Sequence, residues 1–444
     1  MPRLTSVLKT NMNLPHIRDA YYITYGIFYL LGILTFIPNY FVITANRYWM
    51  HKFRFMGERP NNPDDPIGPG PPKERNLLQT IFPSSYYIVS QTSLIVFVIL
   101  TARFSKRLPP PDKRIDAALW CTLVFYIVNL IFCKLTTDTF QIAFFWIVML
   151  IACCLGACGA VILVSLFQMV RKVPAEYYNA ILTGQALCGV ISALIQILTI
   201  SLTEAPADGG LIFFGIGTLL VIITIVVYWY SKKNSQYFIY SVGNEIVNVQ
   251  TTTFEHRKFL PRIWMKIKST TKKTKMCVIS LLTVVGTTAI VYPGYMSLVV
   301  AQESTGKTMD PWNEMYFVPV ITFLLASLCD LFGRVLAAKF RQPNHQCVIL
   351  TIAIARISFL PLFSLCNAQP RNKVPVLFYD IPYVMFTIIF SFSNGYLINL
   401  CVTLIPTTVE REEERDSVFF IVIISTVLSV ALTSFLNVAV VYLT

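Results

Sequence analysis

The 444-residue sequence is 55% hydrophobic and 14% aromatic, with only 13% charged residues, about half the charged share of a soluble domain. That balance excludes an ordinary soluble enzyme or binding module and predicts an all-α polytopic membrane protein, because apolar runs of the ~20 residues needed to cross ~30 Å of hydrocarbon recur along almost the whole length. The formal net charge of +13 is not the footprint of a nucleic-acid binder, since the basic residues sit in short connections between apolar runs and form no single stripe.

Residues 1–19 are polar and basic (Arg3, Lys9, Arg18) and show no cleavable signal pattern. The first predicted span, about 20–45, holds Gly32, which permits close helix approach, and Pro38, which removes one backbone donor from the helical ladder. A loop over 46–79 follows, whose NNPDDPIGPGPP stretch favours an irregular solvated connection. Spans two to six are expected at about 80–102, 115–135, 139–170, 176–201 and 210–231. The fourth carries the small-residue run Gly156-Ala157-Cys158-Gly159-Ala160, and the fifth sets Gln185 among Gly184, Ala186 and Gly189. Small residues of this kind let backbones pack closely, and a buried amide serves as interhelical glue.

Residues 232–275 form the longest basic connection, from Lys232 and Lys233 to Lys272, Lys273 and Lys275, and anionic cytoplasmic lipid attracts such a segment. Five further spans are predicted at about 276–301, 314–338, 346–366, 380–406 and 417–442. With eleven spans, the excess of Lys and Arg on one side places the N-terminus and the 232–275 loop in the cytoplasm. The C-terminus and the 46–79 loop are then extracellular. The expected organisation is a six-helix bundle over 1–231, the cytoplasmic loop 232–275, and a five-helix bundle over 276–444, two units able to rock about a midplane site. The acidic run from Glu410 to Asp416 is expected to cap and solvate the turn before the last span.

The eighth span, ITFLLASLCDLFGRVLAAK, contains Asp330 and Arg334 four residues apart, on one helix face. A charge at the bilayer centre costs about 2.5–3.5 kcal/mol on insertion scales, so such residues face a bundle interior or a wet cavity. Two readings stand: a structural ion pair that lets the helix insert, or the chemical centre of the protein. Arg356, in the ninth span, has no sequence-local partner and is expected to pair across helices with Asp330 or with a backbone carbonyl. No nucleophile-and-base constellation, metal motif or phosphate-cradling loop is present, and the four histidines lie at or outside span ends, so no catalysis, metal or cofactor is expected. The eleven cysteines fall in or beside apolar runs and read as inert core residues.

Several stretches taken together resemble the equilibrative nucleoside transporter family. The first span's GILTFIPNYFVITANRYW keeps Gly32, Pro38, Thr44 and Ala45 of the family segment. The VPAEYYNAILTGQALCG join is similar in Pro174, Tyr177, Gly184, Gln185 and Gly189. DLFGR in the eighth span, ARISFLPLFSLCN in the ninth and FSFSNGYLINLCV in the tenth complete the pattern.

The resemblance implies a passive, facilitated carrier of nucleosides, and often of nucleobases, with a major-facilitator-like fold and alternating access. It implies a lipid bilayer and a nucleoside as partners, no nucleic acid, function as a monomer and a plasma-membrane location. It also implies that Asp330 and Arg334 bond the sugar hydroxyls, a carboxylate accepting from hydroxyls while a guanidinium donates to their oxygens. The family's Trp-Asn after the first-span proline is Asn39-Tyr40 here, and a family Asn three residues before the aspartate is Ser327. Phe36 and Tyr40 are the expected stacking surfaces for the base. The glutamine by which the family reads the base edge becomes Leu163, whereas Gln91 in the second span stands where the family has an apolar residue. Gln91 is therefore expected either to take over base recognition or to serve as a helix–helix hydrogen bond. The competing expectations are a carrier of another small polar solute, such as a sugar, and a membrane receptor that binds without moving its ligand.

Overall fold

The computed structural model describes residues 19, 22–54, 76–105, 107–170, 173, 176–239, 259–302, 312–340, 342, 343, 345–368, 379–405 and scattered positions between 422 and 436. Among them are ten helices long and apolar enough to cross a membrane. We number them α1 (Ile23–Thr44), α2 (Leu77–Arg103), α3 (Pro111–Lys134), α4 (Gln141–Val170), α5 (Glu176–Leu202), α6 (Pro206–Asn234), α7 (Phe259–Val291), α8 (Val318–Phe340), α9 (Gln346–Ser364) and α10 (Asp380–Leu404). No strand forms among the described residues; one isolated bridge joins Val299 to Ala368. Helices are what hydrocarbon permits, because each satisfies its own backbone N–H and C=O groups without water. Most of the expected eleventh span, the proline-rich stretch, Pro174, the acidic run and part of the basic connection lie outside the described residues.

Local sequence sets the helix starts. Asn76 and Gln79 form a capping box at α2, the Asn76 side chain accepting from the Leu78 N–H at 3.2 Å and Gln79 accepting from the Asn76 N–H at 2.9 Å. Pro111 and Pro206 open α3 and α6 at a position where the missing N–H leaves no gap. In α9 a tight turn over Arg356–Ser358 precedes Pro361, whose ring cannot donate to the ladder.

Two sequence boundaries shift. The basic segment 232–275 is not wholly a connection, because α6 runs to Asn234 and α7 begins at Phe259. Apolar length marks only the part of a helix inside hydrocarbon, and nothing between Pro261 and Gly286 interrupts α7 as it leaves it. The stretch after α1 is likewise not all solvated. Asn46–Lys52 is a short helix whose Trp49 sits with its ring centre 4.6 Å from that of Phe82 and 6.2 Å from that of Phe53. Lys52 is buried beside it and donates through Nζ to the Leu135 carbonyl at 2.6 Å, capping the end of α3. Burial lowers the Lys52 pKa from the ordinary lysine value.

The helices pack as two groups, α1–α6 and α7–α10, whose main junction is α5 against α8. Large apolar side chains at the rim, among them Trp120, Trp146, Trp229 and Ile381, are exposed and in a bilayer meet lipid. Inside, small residues decide the spacing. A Cβ on Gly32 would lie 2.6 Å from the Ile181 carbonyl oxygen, so α1 and α5 touch backbone to backbone. Gly333 and Gly395 do the same for α8 and α10, where a Cβ would overlap the carbonyl oxygens of Phe392 and Asp330. Ser429, in the described part of the expected last span, donates to the Leu282 carbonyl of α7 at 2.7 Å.

Gly395→Ala is expected to lower the thermal unfolding temperature of the detergent-purified protein, with a cost of about 1–3 kcal/mol for forcing two backbones apart. Gly215→Ala, where an added Cβ meets nothing within 4 Å, should be neutral or stabilising by up to about 1 kcal/mol. Equal effects of the two changes would show that the α8–α10 approach does not limit stability.

Candidate functional site

Asp330 and Arg334 lie one turn apart on α8, and the Arg334 Nε donates to Asp330 Oδ2 at 3.0 Å. Their side chains are 17% and 13% exposed, low enough that each needs partners beyond the other. Arg334 Nη1 reaches across the junction to donate to the Leu182 carbonyl of α5 at 3.1 Å. The other carboxylate oxygen, Oδ1, accepts from Asn394 Nδ2 at 2.7 Å. Because Gly333 and Gly395 let α8 and α10 approach so closely, a side chain as short as asparagine spans the gap.

Behind this pair the network continues. Thr288 Oγ1 on α7 is 2.7 Å from Asn394 Oδ1 and 3.0 Å from Arg356 Nη2. Arg356 Nη1 also donates to the Phe390 carbonyl at 2.6 Å and to the Ser393 hydroxyl. The guanidinium carbon stands 4.4 Å over the Phe390 ring, a cation–π contact of the strong, desolvated kind. Arg356 is 2% exposed. It pairs with the Phe390 carbonyl, one of the two partners expected from sequence, and reaches Asp330 only through Thr288 and Asn394.

An open-mouthed cavity lies between the two helix groups, and Asp330 and Arg334 form part of its wall. Thr288, Ser327, Ser391 and Asn394 add polar groups. Tyr40, Tyr292, Met296 and Phe390 supply apolar and aromatic surface. The Tyr292 hydroxyl is buried and has no hydrogen-bond partner among the described residues. A chamber of this make-up suits a small, uncharged solute with hydroxyls at one end and a flat unsaturated ring at the other.

Of the residues named from sequence, Asp330, Arg334 and Tyr40 meet at this cavity. Gln185 is buried next to Ala186, which lines it, and Gly189 stands so close to Ser327 that a Cβ would lie 2.5 Å from the serine hydroxyl. Gly184 abuts the Tyr29 carbonyl, and a Cβ on Gly159 would come within 2.9 Å of the Thr35 carbonyl. Pro38 is buried inside an unbroken α1. The other four candidates fall elsewhere. Gln91 is buried in α2, Leu163 belongs to the apolar core of the first helix group, and Phe36 packs against that core. Asn39 faces Tyr86, whose hydroxyl lies 3.4 Å from its Oδ1. None of the four lines the cavity.

Thr288, Tyr292, Ser391 and Asn394 had gone unnoticed in the sequence. Asn394 carried a signal, an amide in the apolar run FSFSNGYLINL. Thr288 carried none, because a threonine in a span can satisfy itself on the preceding turn, and Thr288 Oγ1 is indeed 2.9 Å from the Val284 carbonyl. No group of three or more metal-ligating side chains occurs among the described residues.

The family model described as "Nucleoside transporter" matches residues 149–441. Among curated relatives, equilibrative nucleoside transporter 1 of Homo sapiens is 26% identical over 439 residues, covering 90% of this chain and 93% of the relative. Equilibrative nucleoside transporter 2 of Homo sapiens is 26% identical over 438 residues, covering 90% and 92%. Equilibrative nucleotide transporter 8 of Arabidopsis thaliana is 23% identical over 419 residues, covering 91% and 92%.

The geometry makes its own prediction. In a background with the eleven native cysteines replaced, Ser391→Cys should react with a small hydrophilic thiol reagent and Leu163→Cys should not. Labelling of both, or of Leu163→Cys alone, would place the aqueous cavity elsewhere.

Proposed function

The chain belongs to the nucleoside transporter family, and from that premise we propose that Asp330 and Arg334 bind the ribose hydroxyls of a nucleoside carried passively across the membrane. The single observation behind this assignment is a carboxylate and a guanidinium, both partly exposed, on the wall of one cavity between two helix groups. Asp330 accepts from sugar hydroxyls and Arg334 donates to their oxygens, and charge-assisted bonds of this kind are about twice as strong as neutral ones. The base lies against the Tyr40 and Tyr292 rings, whose faces stack on purines and pyrimidines alike. Nucleobases enter by the same rings but lack the sugar contacts. The unpaired Tyr292 hydroxyl is a ready partner for a base edge, since a buried hydroxyl left alone is costly.

Movement follows from where the cavity sits. Its wall draws on α1 and α5 from one helix group and on α7, α8 and α10 from the other. A relative tilt of 1–231 against 276–444 exposes it to each side in turn. Arg334 is itself part of the junction through its bond to the Leu182 carbonyl. The protein works as a carrier in the plasma membrane, with a cytoplasmic N-terminus and an extracellular C-terminus, following the distribution of basic residues.

Asp330→Asn and Arg334→Lys are each expected to cut nucleoside uptake about tenfold or more, with the protein still present at the surface. A hydrogen bond to a charged group contributes about 1.5–3 kcal/mol, and lysine has no planar fork to replace arginine's. Normal uptake by either variant would remove the pair from the site.

A further inference from the structure

Asp330 is held by two cations, one of which never reaches the cavity. Arg334 contacts its Oδ2 directly. The second route runs through three hydrogen bonds whose donors all point the same way. Arg356 Nη2 donates to Thr288 Oγ1 at 3.0 Å, the Thr288 hydroxyl donates to Asn394 Oδ1 at 2.7 Å, and Asn394 Nδ2 donates to Asp330 Oδ1 at 2.7 Å. A guanidinium only donates and a carboxylate only accepts, which turns the Asn394 amide nitrogen toward Asp330 and its oxygen toward Thr288; the single Thr288 hydrogen has two acceptors, Asn394 Oδ1 at 2.7 Å and the Val284 carbonyl at 2.9 Å, and the relay uses the shorter contact.

The four residues come from α9, α7, α10 and α8. One chain of donors therefore ties four helices of the second group to a single carboxylate. Arg356 is 2% exposed and is absent from the cavity wall, so it touches no solute there. Its remaining bonds, to the Phe390 carbonyl and Ser393, anchor it to α10 beside Asn394. We propose that Arg356 is a positioning residue for substrate selection, acting through Thr288 and Asn394 to fix the orientation of the Asp330 carboxylate and so set how strongly the site distinguishes sugars that carry hydroxyls from sugars that lack them.

Orientation matters because a carboxylate with Oδ1 and Oδ2 each engaged on one side presents its remaining lone pairs in a defined direction. With the relay cut, Asn394 is free to turn its amide over, which would set its carbonyl oxygen against Oδ1 and push the carboxylate away. The loss then falls on the sugar hydroxyls and not on the base, which meets other residues.

This inference rests on the assignment of Asp330 to the sugar, and the test separates the two. Transport of uridine and of 2′,3′-dideoxyuridine is measured in proteoliposomes for the unmodified protein, Asp330→Asn, Thr288→Val, Thr288→Ser, Arg356→Gln and the Thr288→Val/Arg356→Gln double variant. Thr288→Val keeps the shape and removes only the hydroxyl. It should raise the half-saturating uridine concentration about 3–10-fold, the loss of a neutral hydrogen bond, and raise that of dideoxyuridine by a clearly smaller factor. Thr288→Ser should restore the uridine value. Arg356→Gln should show the same selective loss, and the double variant should be no worse than the poorer single one, as expected of links in one chain.

Equal effects of Thr288→Val on both solutes, or an additive double variant, would overturn the relay while leaving a selective Asp330→Asn defect, and with it the sugar assignment, intact. An Asp330→Asn variant that loses both solutes alike would overturn the sugar assignment and remove the relay's purpose. Should Arg356→Gln fail to fold, Arg356→Lys takes its place, because Thr288 lines the cavity and its own variants would also respond to direct contact with the sugar; a uridine value unchanged by the substitution at 356 would overturn the relay.

Discussion

Everything in the second helix group is arranged around one carboxylate in an apolar helix. An isolated Asp330 would make α8 costly to insert, and the structure meets that cost with Arg334 on its own helix and Asn394 on the next. The offset is incomplete by design. Each of the two charged side chains retains some exposure, toward a cavity, whereas Arg356 has almost none. A pair built only to insert a helix gains nothing from a wet face, because water competes with the ion pair. A pair that must exchange partners with a polar solute requires one.

Close backbone approach is the second constraint, and it serves the first. Glycines at Gly333 and Gly395 bring α8 and α10 together at the level of the carboxylate, and Gly32 with Gly184 does the same for α1 and α5 on the opposite side of the junction. Without a hydrophobic drive between helices in lipid, such contacts and a few polar bonds hold the bundle. Short side chains can then span between helices. Asn394 would not reach Asp330 across the wider spacing that leucine or phenylalanine imposes. The junction between the helix groups is narrower in chemistry: Arg334 on the Leu182 carbonyl, and Ser327 against Gly189.

Much of this was legible in the sequence, and for a definite reason. Span positions follow from apolar length, which hydrocarbon thickness fixes, so all ten described helices lie where the runs put them. Asp330 and Arg334 stand out because charges are rare in such runs, whereas Tyr40 came only through the family resemblance. The helix ends were harder, since α7 reaches back to Phe259 through residues that are basic but still good helix formers. Harder still were the partners. Whether Gln91 or Asn394 faces the cavity depends on helix rotation and on which helices touch, and neither is carried by composition. An amide in a span announces that it needs a partner without saying which. Gln91 took its proposed role from position along the chain, yet α2 packs chiefly on α4 and Gln91 is not among the residues lining the cavity.

A facilitated carrier needs no coupling ion, and among the described residues of α7–α10 the carboxylates are Asp330 and, at the first residue of α10, Asp380, so no chain of intramembrane carboxylates is present there to relay protons. The account therefore stands on downhill movement. The most direct measurement is the time course of radiolabelled uridine entering proteoliposomes made with the purified protein, with and without an imposed proton or sodium gradient. The predicted result is saturable entry that stops when the internal and external concentrations are equal and ignores both gradients. Saturable binding with no volume-dependent entry, or accumulation above the external concentration that collapses with a gradient, would contradict it.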